Sequence, residues 1–219
     1  MPDTPPLSRR PIKARETRWA AAVTRLLVRA GIRPNTISVF SVIFAALSGA
    51  CLYASPRFDR VLDPILLVSA GVLIQFRLLC NLFDGMVAVE GGMKSKSGEI
   101  FNDLPDRLAD PFILIGAGYA VKSVAWAVEL GWGAALLAVM TAYVRLLGKS
   151  AGAPEDFGGP MAKPHRMALM TLACLAAAVE RPLHGSDFAL IGALGAIILG
   201  CLVTVARRAR RAVRELEAK

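Results

Sequence analysis

The chain has 219 residues, 55% of them hydrophobic, with a net charge of +9 and a mean hydropathy of +0.50. A soluble domain of this size is usually about 45–50% apolar, so the composition points to a membrane protein with basic segments outside the bilayer. The basic residues sit at the ends of apolar runs, which argues against nucleic-acid binding.

Residues 1–14 are rich in Pro, Arg and Lys and read as disordered. They contain no apolar h-region with a cleavage site, so no cleavable signal peptide is expected. Residues 16–31 read as a helix, with Trp19, Val23, Leu26 and Leu27 at helical spacing and Arg18, Arg25 and Arg29 around the other side. Such a helix suits the interface of an anionic leaflet, or packing on the protein's own polar end. Gly31 ends it. Asn35 or Thr36 then caps the next helix, which opens an apolar run over 36–54, long enough to cross a bilayer.

Five more spans follow, at about 61–90, 98–121, 124–147, 167–179 and 188–206. The expected fold class is therefore all-α: an integral membrane protein with six transmembrane helices and an N-terminal interfacial amphipathic helix. The segments are a basic stretch over 1–33, a membrane domain over 34–206 and a basic tail over 207–219. Eight Lys/Arg precede the first span and six lie in the tail, which places both termini in the cytosol. The opposite side holds Arg57, Arg60, Lys122 and Arg181. Cys51, Cys80, Cys174 and Cys201 lie in or beside apolar runs at no metal or disulfide spacing, and read as small buried residues.

One stretch breaks the apolar pattern. Residues 81–110, NLFDGMVAVEGGMKSKSGEIFNDLPDRLAD, set carboxylates, carboxamides and glycines between apolar runs, on the cytosolic side. Polar groups at such places are functional by default. At 100° per residue, Arg77, Asn81, Asp84, Gly85 and Ala88 share an arc of about 100° on one helix. Glu99, Asn102, Asp103, Asp106 and Asp110 share another arc of about 100° on the next. Two facing stripes of oxygens suit a hard divalent cation such as Mg²⁺, Mn²⁺ or Ca²⁺. Gly85 and Gly98 leave room for a ligand or a close helix. The alternative is a solvated helix end with ion pairs to Arg77 and Arg107.

The frame of this stretch resembles that of the CDP-alcohol phosphatidyltransferases, D-x2-D-G-x2-A-R-x8-G-x3-D-x3-D. Here it reads Asn81, Asp84, Gly85, Ala88, Val89, Gly98, Asn102 and Asp106, with every spacing kept over 26 positions. GIRPNTIS, containing Asn35 and Thr36, resembles the family's lead-in to its first membrane helix, and Lys163 resembles the lysine before its fifth. The resemblance implies transfer of a phosphatidyl group from CDP-diacylglycerol to an alcohol, with release of CMP. It implies a divalent metal, Mg²⁺ or Mn²⁺, and a homodimer in a bacterial inner membrane. Asp84 would be a metal ligand and Asp106 the general base. Gly85 and Ala88 would make room for the nucleotide, with Gly98, Asn35 and Thr36 beside it.

Three positions depart from the frame: Asn81 and Asn102 stand where the family has aspartate, and Val89 where it has arginine. Asn keeps a carbonyl oxygen but loses the charge. Glu99 and Asp103 are expected to restore charge, and Arg77 to stand in for the arginine at the phosphates. Lys163 and Arg166 open the fifth span, where a helix N-terminus favours phosphate; like Arg145, they serve equally as headgroup anchors. Two rivals remain: a non-catalytic protein of the same fold that binds nucleotide-lipid or metal, and a small transporter. The transporter would spread polar residues along several spans, whereas here they gather at one end of two.

Overall fold

The computed structural model describes residues 17–93 and 98–218, apart from the side chains of Glu99 and Asn102. The Pro/Arg/Lys-rich stretch 1–14 lies outside the described residues. Among those described there are seven α-helices and no strand: α1 (Arg18–Arg29), α2 (Pro34–Ala54), α3 (Leu62–Glu90), α4 (Gly98–Ala120), α5 (Ala127–Ser150), α6 (Lys163–His184) and α7 (Phe188–Glu217). Four segments are long and apolar enough to cross a membrane: Pro34–Arg57, Leu62–Glu90, Ala127–Ser150 and Phe188–Glu217. The helices α4 and α6 do not meet the same measure of length and apolarity. The basic tail is no separate element, because α7 runs through it to Glu217.

Helices α2 to α7 close into a ring in the order α2, α3, α6, α7, α5, α4 and back to α2. The core is apolar along most of its length, from Leu67, Ile74, Ile113 and Leu114 to Met170, Leu194 and Ile197, all completely buried. Glycines set how closely α4 can approach its neighbours. A Cβ on Gly49 of α2 would stand 2.3 Å from the Phe112 carbonyl oxygen, and one on Gly116 would stand 2.6 Å from the Gly49 oxygen. Gly118 meets Gly131 of α5 in the same way. Small residues give membrane helices this close packing. Gly49→Ala is therefore expected to destabilise by about 1–3 kcal/mol through overpacking. Gly192→Ala, which meets nothing within 4 Å, is the control in the same thermal unfolding series in detergent.

Helix starts differ from expectation at α2. Arg33 is the N-cap and Pro34 occupies the first turn, with no side-chain cap bond. Proline's fixed φ and missing N–H suit that position, so Asn35 and Thr36 lie inside the helix and do not cap it. α1 ends where expected, with Gly31 at φ +68°. It buries Ala20 and Thr24 against Leu82, Phe83, Met86 and Val87 of α3, and Trp19 meets Phe83 edge-on at 5.9 Å. Leu26 faces outward at 68% exposure, on the same side as Arg18, Arg25 and Arg29, so the buried stripe is narrower than the apolar spacing suggested.

At one end of the ring Arg181 ties four segments. It donates to Asp187 at 2.8 Å, Asp63 at 2.7 Å, Ser55 at 3.1 Å and the Ala120 carbonyl. Asp187 also accepts from the backbone N–H groups of Lys122 and Ser123. Burial alone would raise its pKa, but the Lys122 amide and the Arg181 guanidinium hold this carboxyl below the usual carboxylate range. Arg181 is thus a structural tie rather than a loop charge. The four cysteines are free, Cys174 and Cys201 buried and Cys51 and Cys80 half-buried.

Candidate active site

The other end of the ring is where the polar residues meet. The antiparallel run of the chain brings together the start of α2, the end of α3, the start of α4, the end of α5 and the start of α6. α3 supplies Arg77, Asn81 and Asp84; α4 supplies Asp106 and Asp110; α6 supplies Lys163 and Arg166. The expected meeting of the α3 and α4 stripes is present in Arg77, which donates to Asp106 at 3.3 Å and to Asp110 at 2.6 Å.

Asp84 is 4% exposed. One oxygen accepts the Ser38 hydroxyl at 2.9 Å and the other accepts the Gly85 N–H at 2.6 Å. Asn81 donates its amide nitrogen to Ser41 at 3.1 Å and to the Arg77 carbonyl at 2.9 Å, which leaves its carbonyl oxygen to offer to a ligand. Asp106 holds Arg77 on one oxygen and Lys163 on the other. Asp110 lies below it in the core. Its oxygens are divided between Arg77 and Arg166, the latter through Nη2 at 2.6 Å and Nε at 3.2 Å. Arg166 reaches on to the Met161 carbonyl at 2.8 Å and Thr141 at 3.3 Å. Thr141 in turn accepts Arg208 of α7 at its carbonyl.

Several expected roles need correction on this geometry. Arg77 is completely buried and Arg166 is 2% exposed, so neither presents its guanidinium at a surface where phosphate would dock. Both are turned inward because the buried acids Asp106 and Asp110 need counter-ions. Asp103 does not join Asp84 and Asp106. It accepts Arg145 at 2.9 and 3.0 Å and Arg107 at 3.1 Å, and Arg145 also pairs with Glu155 and lies over Phe157. Asp103 thus belongs to a second cluster, built by the α5–α6 loop. The side chains of Glu99 and Asn102 lie outside the described residues. Gly85, Ala88 and Gly98 are half-buried at the polar end, Asn35 is half-buried one turn before Ser38, and Thr36 is exposed. Val89 is 40% exposed. Ser38 and Ser41 were not expected; their signal is two serines three apart at the start of an otherwise apolar helix. Asp110 stood on the α4 stripe, but its role was not legible.

No group of three or more Asp, Glu, His or Cys among the described residues is arranged to hold a metal alone. The oxygens of Asp84, Asn81 and Asp106 are nevertheless of the hard kind that Mg²⁺ or Mn²⁺ prefers. Such ions are commonly held by one or two carboxylates together with substrate phosphates and waters. The donor set fits a divalent ion on those terms.

No family model matches the chain. It is similar to the phosphatidylinositol phosphate synthase of Mycobacteroides abscessus, at 24% identity over 192 residues, 83% of this chain and 78% of that protein. The match runs over most of both chains and not through one apolar stretch alone. The resemblance to the CDP-alcohol phosphatidyltransferases thus extends over most of the chain. The chain is also similar to the inner membrane protein YnbA of Escherichia coli, at 24% identity over 148 residues, 68% of this chain and 69% of that protein. Among solved structures, the Mycobacterium tuberculosis phosphatidylinositol phosphate synthase PgsA1 in complex with manganese and citrate has the same fold. Its TM-score is 0.71 at 17% identity, covering 89% of this chain and 88% of that one. The same enzyme with CDP-DAG bound gives a TM-score of 0.71 at 17% identity, over 90% and 94%. Against the family's frame, the chain keeps the aspartates at Asp84 and Asp106 and has Asn81, Asn102 and Val89 at the three altered positions.

Proposed function

We propose that the protein transfers the phosphatidyl group of CDP-diacylglycerol to the hydroxyl of an alcohol and releases CMP. The observation that carries this is the pairing of Asp84 and Asp106, on facing helices at one end of the ring, within the family's frame. The alcohol oxygen attacks the phosphorus that bears diacylglycerol, and the bond from that phosphorus to the CMP oxygen breaks. The alcohol's proton goes to Asp106. A carboxylate has about four lone-pair positions, so Asp106 can take the proton while Arg77 and Lys163 hold it in place. Asp84 and the Asn81 carbonyl would hold the divalent ion, with Asn102 and Glu99 on the facing helix. That ion, when bound, would neutralise diphosphate charge. Lys163 stands closest to Asp106 and can pass from the carboxylate to a phosphate. Gly85, Ala88, Gly98, Asn35 and Thr36 would line the nucleotide's place.

The same reading assigns six crossings, α4 and α6 completing the ring, in a bacterial inner membrane. The polar end, residues 1–33 and 207–219 would face the cytosol. This rests on Arg18, Arg25, Arg29, Arg145, Lys149 and the α7 arginines lying at that end. α1 would lie at the interface with its arginines toward anionic headgroups, and a homodimer is proposed from the family alone. Inositol phosphate is the first acceptor to try, given the name of the Mycobacteroides relative.

The test is CMP release from CDP-diacylglycerol in detergent or vesicles, with inositol phosphate, glycerol phosphate, serine or free polyols. Release is expected with one acceptor class in Mg²⁺ or Mn²⁺, lost on chelation with EDTA and restored by the added ion. No release with any acceptor would leave the non-catalytic rival standing.

A further inference from the structure

The described charges in the buried centre of the polar end balance. Three carboxylates, Asp84, Asp106 and Asp110, face three cations, Arg77, Lys163 and Arg166, among the described residues. Asp106 and Asp110 each have two cationic partners. Only Asp84 makes no ion pair; its partners are a hydroxyl and a backbone N–H. Beneath it, Arg77 is completely buried and its Nε and Nη1 have no partner. Asp103 does not alter the balance, because Arg145 and Arg107 hold it.

Such a site offers little to a bare divalent cation. The two asparagines remove the charge that the family's frame would supply. Among the described side chains, Asp84 and the Asn81 carbonyl give two oxygens free of cationic partners, and Mg²⁺ bound through so few protein oxygens fills its six positions with waters and substrate phosphates. A bare ion would add two positive charges to a buried, balanced cluster that already holds an under-satisfied guanidinium, and burying uncompensated charge is expensive. A diphosphate diester carries two negative charges. Joined to a divalent ion it is neutral overall, supplies the missing oxygens and offers acceptors toward Lys163.

From this balance we infer that the divalent cation enters the site together with the diphosphate of the nucleotide lipid, as one complex, and not ahead of it. The inference rests on the phosphatidyl-transfer reading and adds an order of binding to it. Coupling is reciprocal: the nucleotide lipid tightens metal binding by the factor with which metal tightens nucleotide binding.

The experiment is Mn²⁺ binding followed by electron paramagnetic resonance on the full chain in detergent. Titrations are run with and without saturating CDP-diacylglycerol, and protein-free micelles correct for Mn²⁺ held by the lipid alone. Binding is expected to be at least tenfold tighter with the nucleotide lipid. The N81D/N102D variant is expected to bind Mn²⁺ without nucleotide at least tenfold tighter than wild type, and to gain less from adding it. Equal wild-type affinity with and without bound CDP-diacylglycerol would overturn the inference alone. Failure of CDP-diacylglycerol to bind at any Mn²⁺ concentration would overturn the phosphatidyl-transfer reading and the inference with it. The wild-type comparison decides the matter even where the double variant does not fold.

Discussion

Asp106→Asn is expected to lower CMP release by about 10²–10⁴-fold, the usual range for loss of a general acid or base. The substitution keeps the shape and one oxygen of the side chain but removes the basic carboxylate. It also removes the charge shared by Arg77 and Lys163. Arg77 keeps Asp110 at 2.6 Å, and the Asp106 side chain is 12% exposed, so the fold is expected to survive. Unfolding temperature and CDP-diacylglycerol binding, measured beside CMP release, separate a missing base from a collapsed site. A variant that released CMP at the wild-type rate would remove Asp106 from the role of base. A wild type that released none, while still binding the nucleotide lipid, would favour the non-catalytic rival. Asn81 and Asn102 are the observation that keeps that rival in view.

The sequence carried the helices and the polar end well, because both follow from local rules. Apolar runs bounded by Gly, Pro and charges placed α1 to α5 within a few residues, whereas α6 is longer at both ends and α7 runs on through the basic tail to Glu217. The angular arcs placed Arg77, Asn81, Asp84, Asp106 and Asp110 on facing stripes, and Arg77 does bridge the two. What angles could not give was the partner of each charge. Asp103 lies on the same arc as Asp106, yet Arg145 and Glu155, 42 and 52 residues further along the chain, build a separate cluster around it. Arg77 reads as a phosphate ligand by its place one turn before Asn81, and Arg166 by its place at a helix N-terminus. In the folded chain the buried acids claim them first, because an unpaired charge in the core costs more than a lost surface contact. The cap at Arg33 was missed for a smaller reason: Pro34 prefers the first helical turn itself, and this moves Asn35 and Thr36 inside.

Loss of the Asp110 carboxylate should produce the largest fall in stability at the polar end. Asp110 is 3% exposed and is held by both Arg77 and Arg166. In Asp110→Asn, Arg166 keeps only neutral partners, the Met161 carbonyl and Thr141. Arg77 keeps Asp106 at 3.3 Å while its Nε and Nη1 remain without partners. Removing one member of a buried ion pair typically costs about 3–5 kcal/mol, because the survivor stays buried and uncompensated. That loss should appear as a lower unfolding midpoint in detergent and as weaker CMP release, since Arg77 also holds Asp106. A double-mutant cycle locates the cause. Replacing both Asp110 and Arg166 with leucine removes the stranded charge together with its partner, so the double variant should lie well above the sum of the two single losses. Arg77 would still lean on Asp106 alone, so recovery should be incomplete, and activity should recover less than stability. Simple additivity of the two single losses would mean that Asp110 and Arg166 stabilise the end of the ring independently. Asp110 would then be a packing residue, and the chain of contacts from Asp106 through Arg77, Asp110 and Arg166 to Thr141 would not act as one unit.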